Sequence, residues 1–414
     1  MSKITPLFHP LRKAMDFHSL AQRYQTPLYV YDFDKLKENF LGFKDAFAGR
    51  KSLICYALKA NSNLSLLSFL ASLGAGADCV SIGEVKKALL AGIPKYKIIF
   101  SGVGKRDDEI AEALKEDILF LNLESFEEMR SVERIAKELG KRARISVRVN
   151  PNIDAQTHPY ISTGLYENKF GVEIEVAKEM YIYAKSSSHL EAVGVHFHIG
   201  SQLCELSPIL EASQKVANFY KSLLALGLEV KFFDIGGGLG IAYEGEEIIS
   251  LYDYAQGILS TLKDCEPTII CEAGRRIVGD CGVLLTSVIR EKSNSHKRFI
   301  IVDGAMNDLM RPTLYQAKHH SYILGKEEEP KTPCDIVGAI CESGDFLAKD
   351  VLMPSSESGD LVVFENAGAY GYSMSSNYNI RPRPAEVAIL EGSCKLIKAR
   401  ESLESLWANE LELL

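Results

Sequence analysis

The stretch SLICYALKANSNLSLLSFLASLGAGADCVSIGEVKKALLAGIPKYKIIF (residues 52–100) sets a pattern that recurs to about residue 272. Short apolar runs, Ser52–Leu58, Ala77–Val80 and Ile98–Phe100, are too brief for helices. They alternate with Leu64–Leu73 and Glu84–Ala91, where apolar residues recur three and four apart. Further strands are expected at Ile118–Leu121, Ile145–Val149, Val193–His198, Phe232–Ile235 and Ile269–Glu272. Further helices fall at Asp107–Leu114, Phe126–Leu139, Val176–Lys185, Ile209–Leu226 and Tyr252–Leu262. Eight βα repeats over this length fit a (β/α)8 TIM-type barrel better than an open doubly wound sheet, so residues 36–275 are read as a barrel of the α/β class.

Beyond Glu272 the texture changes. GVLLTSVIRE, RFIIVDG, DIVGAIC, LVVFEN, AEVAIL and CKLIKA are strand-like runs with no long helices between them. Residues 276–414 therefore read as a second, mostly antiparallel β domain. The early strand Pro27–Asp32, ahead of a helix at Lys35–Ala48, is assigned with residues 1–35 to that domain. LGKEEEPK (324–331) reads as an exposed charged loop.

Forty-seven basic against 55 acidic residues leave a net charge of −8, which argues against nucleic acid or an anionic membrane surface as partner. The longest uncharged stretch, Ala60–Ala77, is interrupted by asparagines and serines and is too short to span a bilayer. The N-terminus lacks the apolar core of a signal peptide. Nine scattered cysteines without a C-x-x-C pair are expected as reduced thiols, and the protein as cytoplasmic.

Barrel enzymes carry their chemistry at the C-terminal ends of the strands. Strand 1 runs into YALKAN (56–61). A lysine in such an apolar run is either a structural, paired lysine or one whose desolvation lowers its pKa and makes it a nucleophile toward carbonyls. Strand 2 ends in ADCVSIGE (77–84), with Asp78, and strand 6 in HFHIGSQ (196–202). Alternation puts His196 and His198 on one face. They could bind a metal, or stack on a planar cofactor and hydrogen-bond within the barrel, or be satisfied core histidines. DIGGGLG (234–240) and EAGR (272–275) follow strands 7 and 8, where barrel phosphate sites commonly lie. Successive glycines there can form a nest of N–H donors. A lysine, a flat histidine, a phosphate nest and an acid on one rim are what pyridoxal 5'-phosphate needs.

With these segments in order, together with THPYISTG…NKFG (157–171), MNDLMRPTLYQAKH (306–319), CES (341–343) and GAYGYSMSSNYN (368–379), the chain resembles the fold-type III pyridoxal-phosphate decarboxylases. The likeness is strongest to their diaminopimelate decarboxylases. It implies Lys59 as the Schiff-base lysine and His198 as the stacking residue. Ser201, Gly236, Gly237, Gly238, Gly274 and Tyr370 are implied at the phosphate, Glu272 at the pyridine nitrogen, and Asp78 among the cofactor contacts. It further implies Arg275, Arg311 and Tyr315, with Tyr370, at the substrate and its distal carboxylate, and Glu342 at the distal ammonium. Cys341 is the implied proton donor, supplied with Glu342 by the second subunit of a homodimer. The family pattern has proline where Ala273 stands and no second arginine where Arg276 stands.

The function so implied is decarboxylation of meso-2,6-diaminopimelate to L-lysine and CO2, the last step of lysine biosynthesis, with no metal. Within the same chemistry the rival is a decarboxylase of another basic amino acid or polyamine precursor, such as ornithine, arginine or carboxynorspermidine. Arg311 argues against that, because a diamine end calls for carboxylates. Two other rivals are a non-catalytic carrier of the cofactor, which would not need Cys341, Glu342 or the arginines, and a metal-dependent barrel hydrolase using His196 and His198.

Overall fold

The computed structural model describes residues 16–154, 163–165, 167–411 and 413–414, so residues 157–162 of the THPYISTG motif lie outside the described residues. The chain divides into two compact units. One comprises Lys37–Ile241 and Glu247–Ile277. The other comprises the described residues up to Leu36, Ala242–Glu246 and the described residues from Val278 onward.

Strand β1 (Leu28–Asp32) belongs to the second unit. The next eight strands are β2 (Ser52–Ala57), β3 (Gly76–Cys79), β4 (Ile98–Phe100), β5 (Phe120–Leu123), β6 (Ala143–Arg148), β7 (Leu190–His196), β8 (Phe232–Asp234) and β9 (Thr268–Cys271). They pair in sequence order into a closed barrel, every pair parallel. Closure is made by β2 on β9, with Ser52 opposite Ile269 and Ile54 opposite Cys271. Helices between the strands begin where the sequence supplies a cap: Asn63, Ser81, Ser125 and Ser250 each accept a backbone N–H of the first turn. Inside the barrel, Cys55, Ile99, Phe120, Val193 and Ile270 form a buried apolar cluster.

One buried ion pair holds the end of β5. Lys105, its side chain 1% exposed, donates from Nζ to Glu128 Oε1 (2.6 Å) and to the carbonyls of Gly102 (2.7 Å) and Asn122 (2.6 Å). Glu128 Oε2 in turn accepts from the Glu124 N–H (2.7 Å). The pair thus clamps the backbone that presents Asn122 and Glu124.

The second unit contains β10 (Gly282–Ser293), β11 (Arg298–Val302), β12 (Ser321–Ile323), β13 (Thr332–Val337), β14 (Phe346–Met353), β15 (Leu361–Phe364), β16 (Ala385–Leu390) and β17 (Ser393–Lys398). Its main order is β14-β13-β11-β10-β1-β16-β17, with β15 joining β10 to β12. The pairs are mostly antiparallel; β1 with β16 and β11 with β13 are parallel. Strand β1 alternates. Leu28 and Val30 enter an apolar cluster with Leu285, Val363 and Val387. The hydroxyls of Tyr29 and Tyr31 donate to the Asp308 carbonyl (2.6 Å) and Glu386 Oε1 (2.7 Å). Among the described residues no helix is long and apolar enough to cross a membrane.

Removing one member of a buried charge pair strands the other. Lys105→Met is therefore expected to cost on the order of 3 kcal/mol in a denaturant titration. Lys105→Met with Glu128→Leu should cost less than the two single changes added together; strict additivity would contradict the clamp.

Candidate active site

Seven of the eight strand ends of the barrel deliver a polar side chain inward. Asp78 lies in β3, Ser101 follows β4, Asn122 and Glu124 come at the end of β5, Arg148 closes β6, His196 closes β7, Asp234 closes β8 and Glu272 follows β9. All are buried. Lys59 follows β2 in a single 3-10 turn, Leu58–Ala60.

Lys59 itself does not enter the apolar core. Leu58 and Ala60 turn into the core, while the Lys59 side chain remains 40% exposed and its Nζ stands 3.4 Å from Asp78 Oδ2. A tight turn, not a continuing strand, lets one residue of an apolar run face outward.

Glu272 is the hub. Its Oε2 lies 3.2 Å from His196 Nε2 and its Oε1 3.4 Å from Asn122 Nδ2, which also donates to Ser101 Oγ (3.0 Å). Burial pushes the Glu272 carboxyl up, but His196 and then Lys59 hold it well below the ordinary carboxylate range. The neighbouring acids give way instead. Burial and then the Glu272 charge raise Asp234 well above its ordinary value, and the same two causes raise Asp78, against the pull of Lys59. The two carboxyls are thus set apart, Glu272 pushed toward the ionised form and Asp234 toward the protonated one.

The two histidines have different duties. Strand β7 stops at His196, so the alternation expected through His198 ends one residue past it. The Nδ1 of the half-buried His198 accepts the Gly237 N–H at 3.2 Å. Burial, then Arg148 and Lys59, keep the His198 pKa well below its usual value, so its ring is neutral. Arg148 Nη1 is paired with Glu124 Oε1 (3.1 Å) and its Nη2 donates to the His198 carbonyl (3.4 Å). His196 also lies with Asp234 and Glu272 in a cluster whose candidate ligand atoms are all within 4.8 Å of one another, and His198 is not among them.

The glycine loop closes against the neighbouring loops too tightly for any side chain. A Cβ at Gly237 would stand 2.1 Å from the Glu272 carbonyl oxygen, and one at Gly238 2.3 Å from that of Gly200, next to Ser201. Gly236 and Gly238 also have positive φ, +63° and +109°. The Gly236 N–H is used within the loop, donating to Asp234 Oδ1 (3.0 Å). The doubled arginine divides its work. Arg275, buried, donates from Nη2 to Ser201 Oγ (3.1 Å), whereas Arg276 donates to the carbonyls of Gly240 (3.0 Å) and Ile249 (3.3 Å). The Ser201 hydroxyl beside a loop without side chains makes a cradle that fits a phosphate, with the Arg275 guanidinium bonded to that hydroxyl.

On the second unit, Arg311 and Tyr315 share the short helix Arg311–Tyr315, with Arg311 buried. Cys341 and Glu342 are adjacent and exposed, and the Cys341 N–H donates to Asn379 Oδ1 at 3.3 Å. Tyr370 adopts a left-handed backbone, φ +57°. Asn122, Ser101 and Glu124 escaped the sequence reading, although each is a polar residue at a strand's C-terminal end; that position was the available signal.

Residues 33–279 match the family described as "Pyridoxal-dependent decarboxylase, pyridoxal binding domain". A diaminopimelate decarboxylase from Campylobacter jejuni is 58% identical over 97% of this chain and 100% of its own length. The crystal structure of diaminopimelate decarboxylase from Helicobacter pylori complexed with L-lysine is 59% identical, with a TM-score of 0.94 over 96% of this chain and 100% of that one. A lysine/ornithine decarboxylase from Vibrio vulnificus, 21% identical at a TM-score of 0.81 over 92% of this chain and 99% of that one, shares the fold. From the barrel's polar rim and these likenesses together, the chain belongs to the pyridoxal-dependent decarboxylase family, among its diaminopimelate decarboxylases.

Proposed function

We propose that the chain decarboxylates meso-2,6-diaminopimelate to L-lysine, using pyridoxal 5'-phosphate held at the C-terminal rim of the barrel. The observation that carries this is the buried Glu272 carboxylate after β9, 3.2 Å from His196 Nε2 and 3.4 Å from Asn122 Nδ2, on the strand-end rim that also carries Lys59. When bound, the cofactor supplies an aldehyde that takes up an amine and a protonated ring that accepts the electron pair left by a departing carboxylate.

The chain's own groups serve that chemistry in order. Lys59 Nζ, exposed beside Asp78, is the amine that holds the aldehyde and is exchanged for the substrate's amine. The Glu272 charge keeps a proton on the pyridine nitrogen, as an opposite charge favours the cationic form. His198 offers a neutral flat ring to one face. Asp78, beside Lys59, completes the cofactor contacts. Ser201, Gly236, Gly237, Gly238 and Gly274, with Tyr370, hold the phosphate. Gly274 is packed against Ala57 and Ala60, each 3.1 Å from where its Cβ would stand.

Selectivity belongs to Arg275, Arg311, Tyr315 and Tyr370, which take the distal carboxylate end, and to Glu342, which takes the distal ammonium. Cys341 delivers the proton to Cα after CO2 leaves. Cys341 and Glu342 are offered to the site of a second copy in a homodimer, and their exposure supports this. The names of the relatives, and lysine in the H. pylori complex, support diaminopimelate as substrate over ornithine, arginine or carboxynorspermidine. All nine cysteines are free, which fits a reducing compartment such as the cytoplasm.

Purified protein loaded with the cofactor is expected to convert meso-diaminopimelate to equal amounts of lysine and CO2. Borohydride should fix the cofactor to the peptide containing Lys59, and Lys59→Ala should lose both the adduct and turnover while remaining folded. Turnover of ornithine or arginine in place of diaminopimelate, or an adduct retained on Lys59→Ala, would overturn the reading. A second expectation concerns selectivity: loss of a bidentate, charge-assisted contact in Arg311→Ala should cost about 2–3 kcal/mol in discrimination between diaminopimelate and lysine. The competition assay contradicts the role of Arg311 if lysine already competes equally in the unaltered protein.

A further inference from the structure

We propose that His319 is a positioning residue that sets the direction of the Arg311 guanidinium and so tunes selectivity for a substrate with a distal carboxylate. The inference rests on the reading of Arg311 given above.

Both side chains are buried in the second unit, Arg311 5% and His319 4% exposed. Arg311 Nη1 stands 2.9 Å from His319 Nε2. A guanidinium has only donors, so Nε2 must present its lone pair, and the ring proton then resides on Nδ1. That nitrogen faces the Glu365 carbonyl at 2.8 Å, which accepts it. The tautomer is therefore fixed from both ends. The Arg311 guanidinium also lies over the ring of Tyr243, 4.6 Å from its centroid, and Tyr243 meets His319 edge to face at 5.4 Å.

Two neutral rings thus hold the guanidinium plane. A carboxylate in the place of His319 would orient the arginine equally well but would cancel its charge. A neutral imidazole orients it without adding a countercharge of its own. The bond also explains why the histidine closing MRPTLYQAKH lies one turn and a bend beyond Arg311: the chain leaves the helix through Gln316 in the left-handed region, φ +52°, and returns to place His319 on Arg311.

The test is steady-state kinetics of the cofactor-loaded protein on meso-diaminopimelate, with lysine as competitor, for His319→Leu, His319→Asn, His319→Gln and Arg311→Ala. The Leu and Asn variants, which remove or shorten the acceptor, are expected to raise KM roughly tenfold and to weaken the preference for diaminopimelate over lysine by the same factor. Their kcat should stay within about threefold of the unaltered protein. The Gln variant, whose side-chain oxygen reaches the place of Nε2, should recover KM to within about threefold. If the Leu variant does not fold, the Asn and Gln pair decides. A kcat loss that follows the folded fraction with KM and preference unchanged, or a Gln variant no better than Asn, overturns the inference. An Arg311→Ala variant with unaltered preference overturns the reading of Arg311 itself, whatever the His319 variants do.

Discussion

The parallel pairing of β2 with β9 is the constraint on which the site depends. Those strands are far apart in sequence, and their ladder, continued by the Ala57 N–H donating to the Ala273 carbonyl at 3.1 Å, sets the turn that carries Lys59 beside the loop that carries Glu272 and Arg275. Closing the barrel also removes water from its interior, and this makes the charges there interact strongly. In an open sheet Asp78, Asp234 and Glu272 would be solvated acids with ordinary proton affinities. Inside the closed barrel they cannot all ionise, and the partners each one meets decide which does.

That division gives the rim its chemical character. His196 and Asn122 stand on the two oxygens of Glu272, burial and the Glu272 charge push Asp234 toward its protonated form, and Asp78 faces the Lys59 ammonium. The polar network reaches outward through Arg148 and Glu124 to the buried Lys105–Glu128 clamp. A site built this way is preorganised: the negative charge is in place before any ligand arrives, and the backbone segments that hold it are tied by buried bonds. The second unit applies the opposite principle at Arg311, where a neutral histidine and a tyrosine ring orient a cation without cancelling it.

Much of this was legible in the amino-acid sequence because periodicity and strand ends are local signals. All eight barrel strands lie within two or three residues of where the apolar runs place them, and polar residues after those runs mark the rim. What was not legible depends on neighbours distant in the chain. Nothing local distinguishes Arg275 from Arg276; the first meets Ser201 and the second the carbonyls of Gly240 and Ile249. The exposure of Lys59 follows from a single 3-10 turn inside an apolar run. His196 and His198 look alike in HFHIGSQ and part company only because β7 ends between them and Gly237 offers an N–H to the second. The MRPTLYQAKH run contains His319, but its bond to Arg311 requires a reversal at Gln316 that no pattern announces.

The measurement that tests the account most directly is a crystal structure of the protein with pyridoxal 5'-phosphate bound. The account expects the cofactor's aldehyde carbon bonded to Lys59 Nζ, its pyridine nitrogen within hydrogen-bond reach of Glu272, its ring against His198, and its phosphate at Ser201 and the Gly236–Gly238 loop. A phosphate seated away from that loop, or a pyridine nitrogen facing any group other than Glu272, would contradict it.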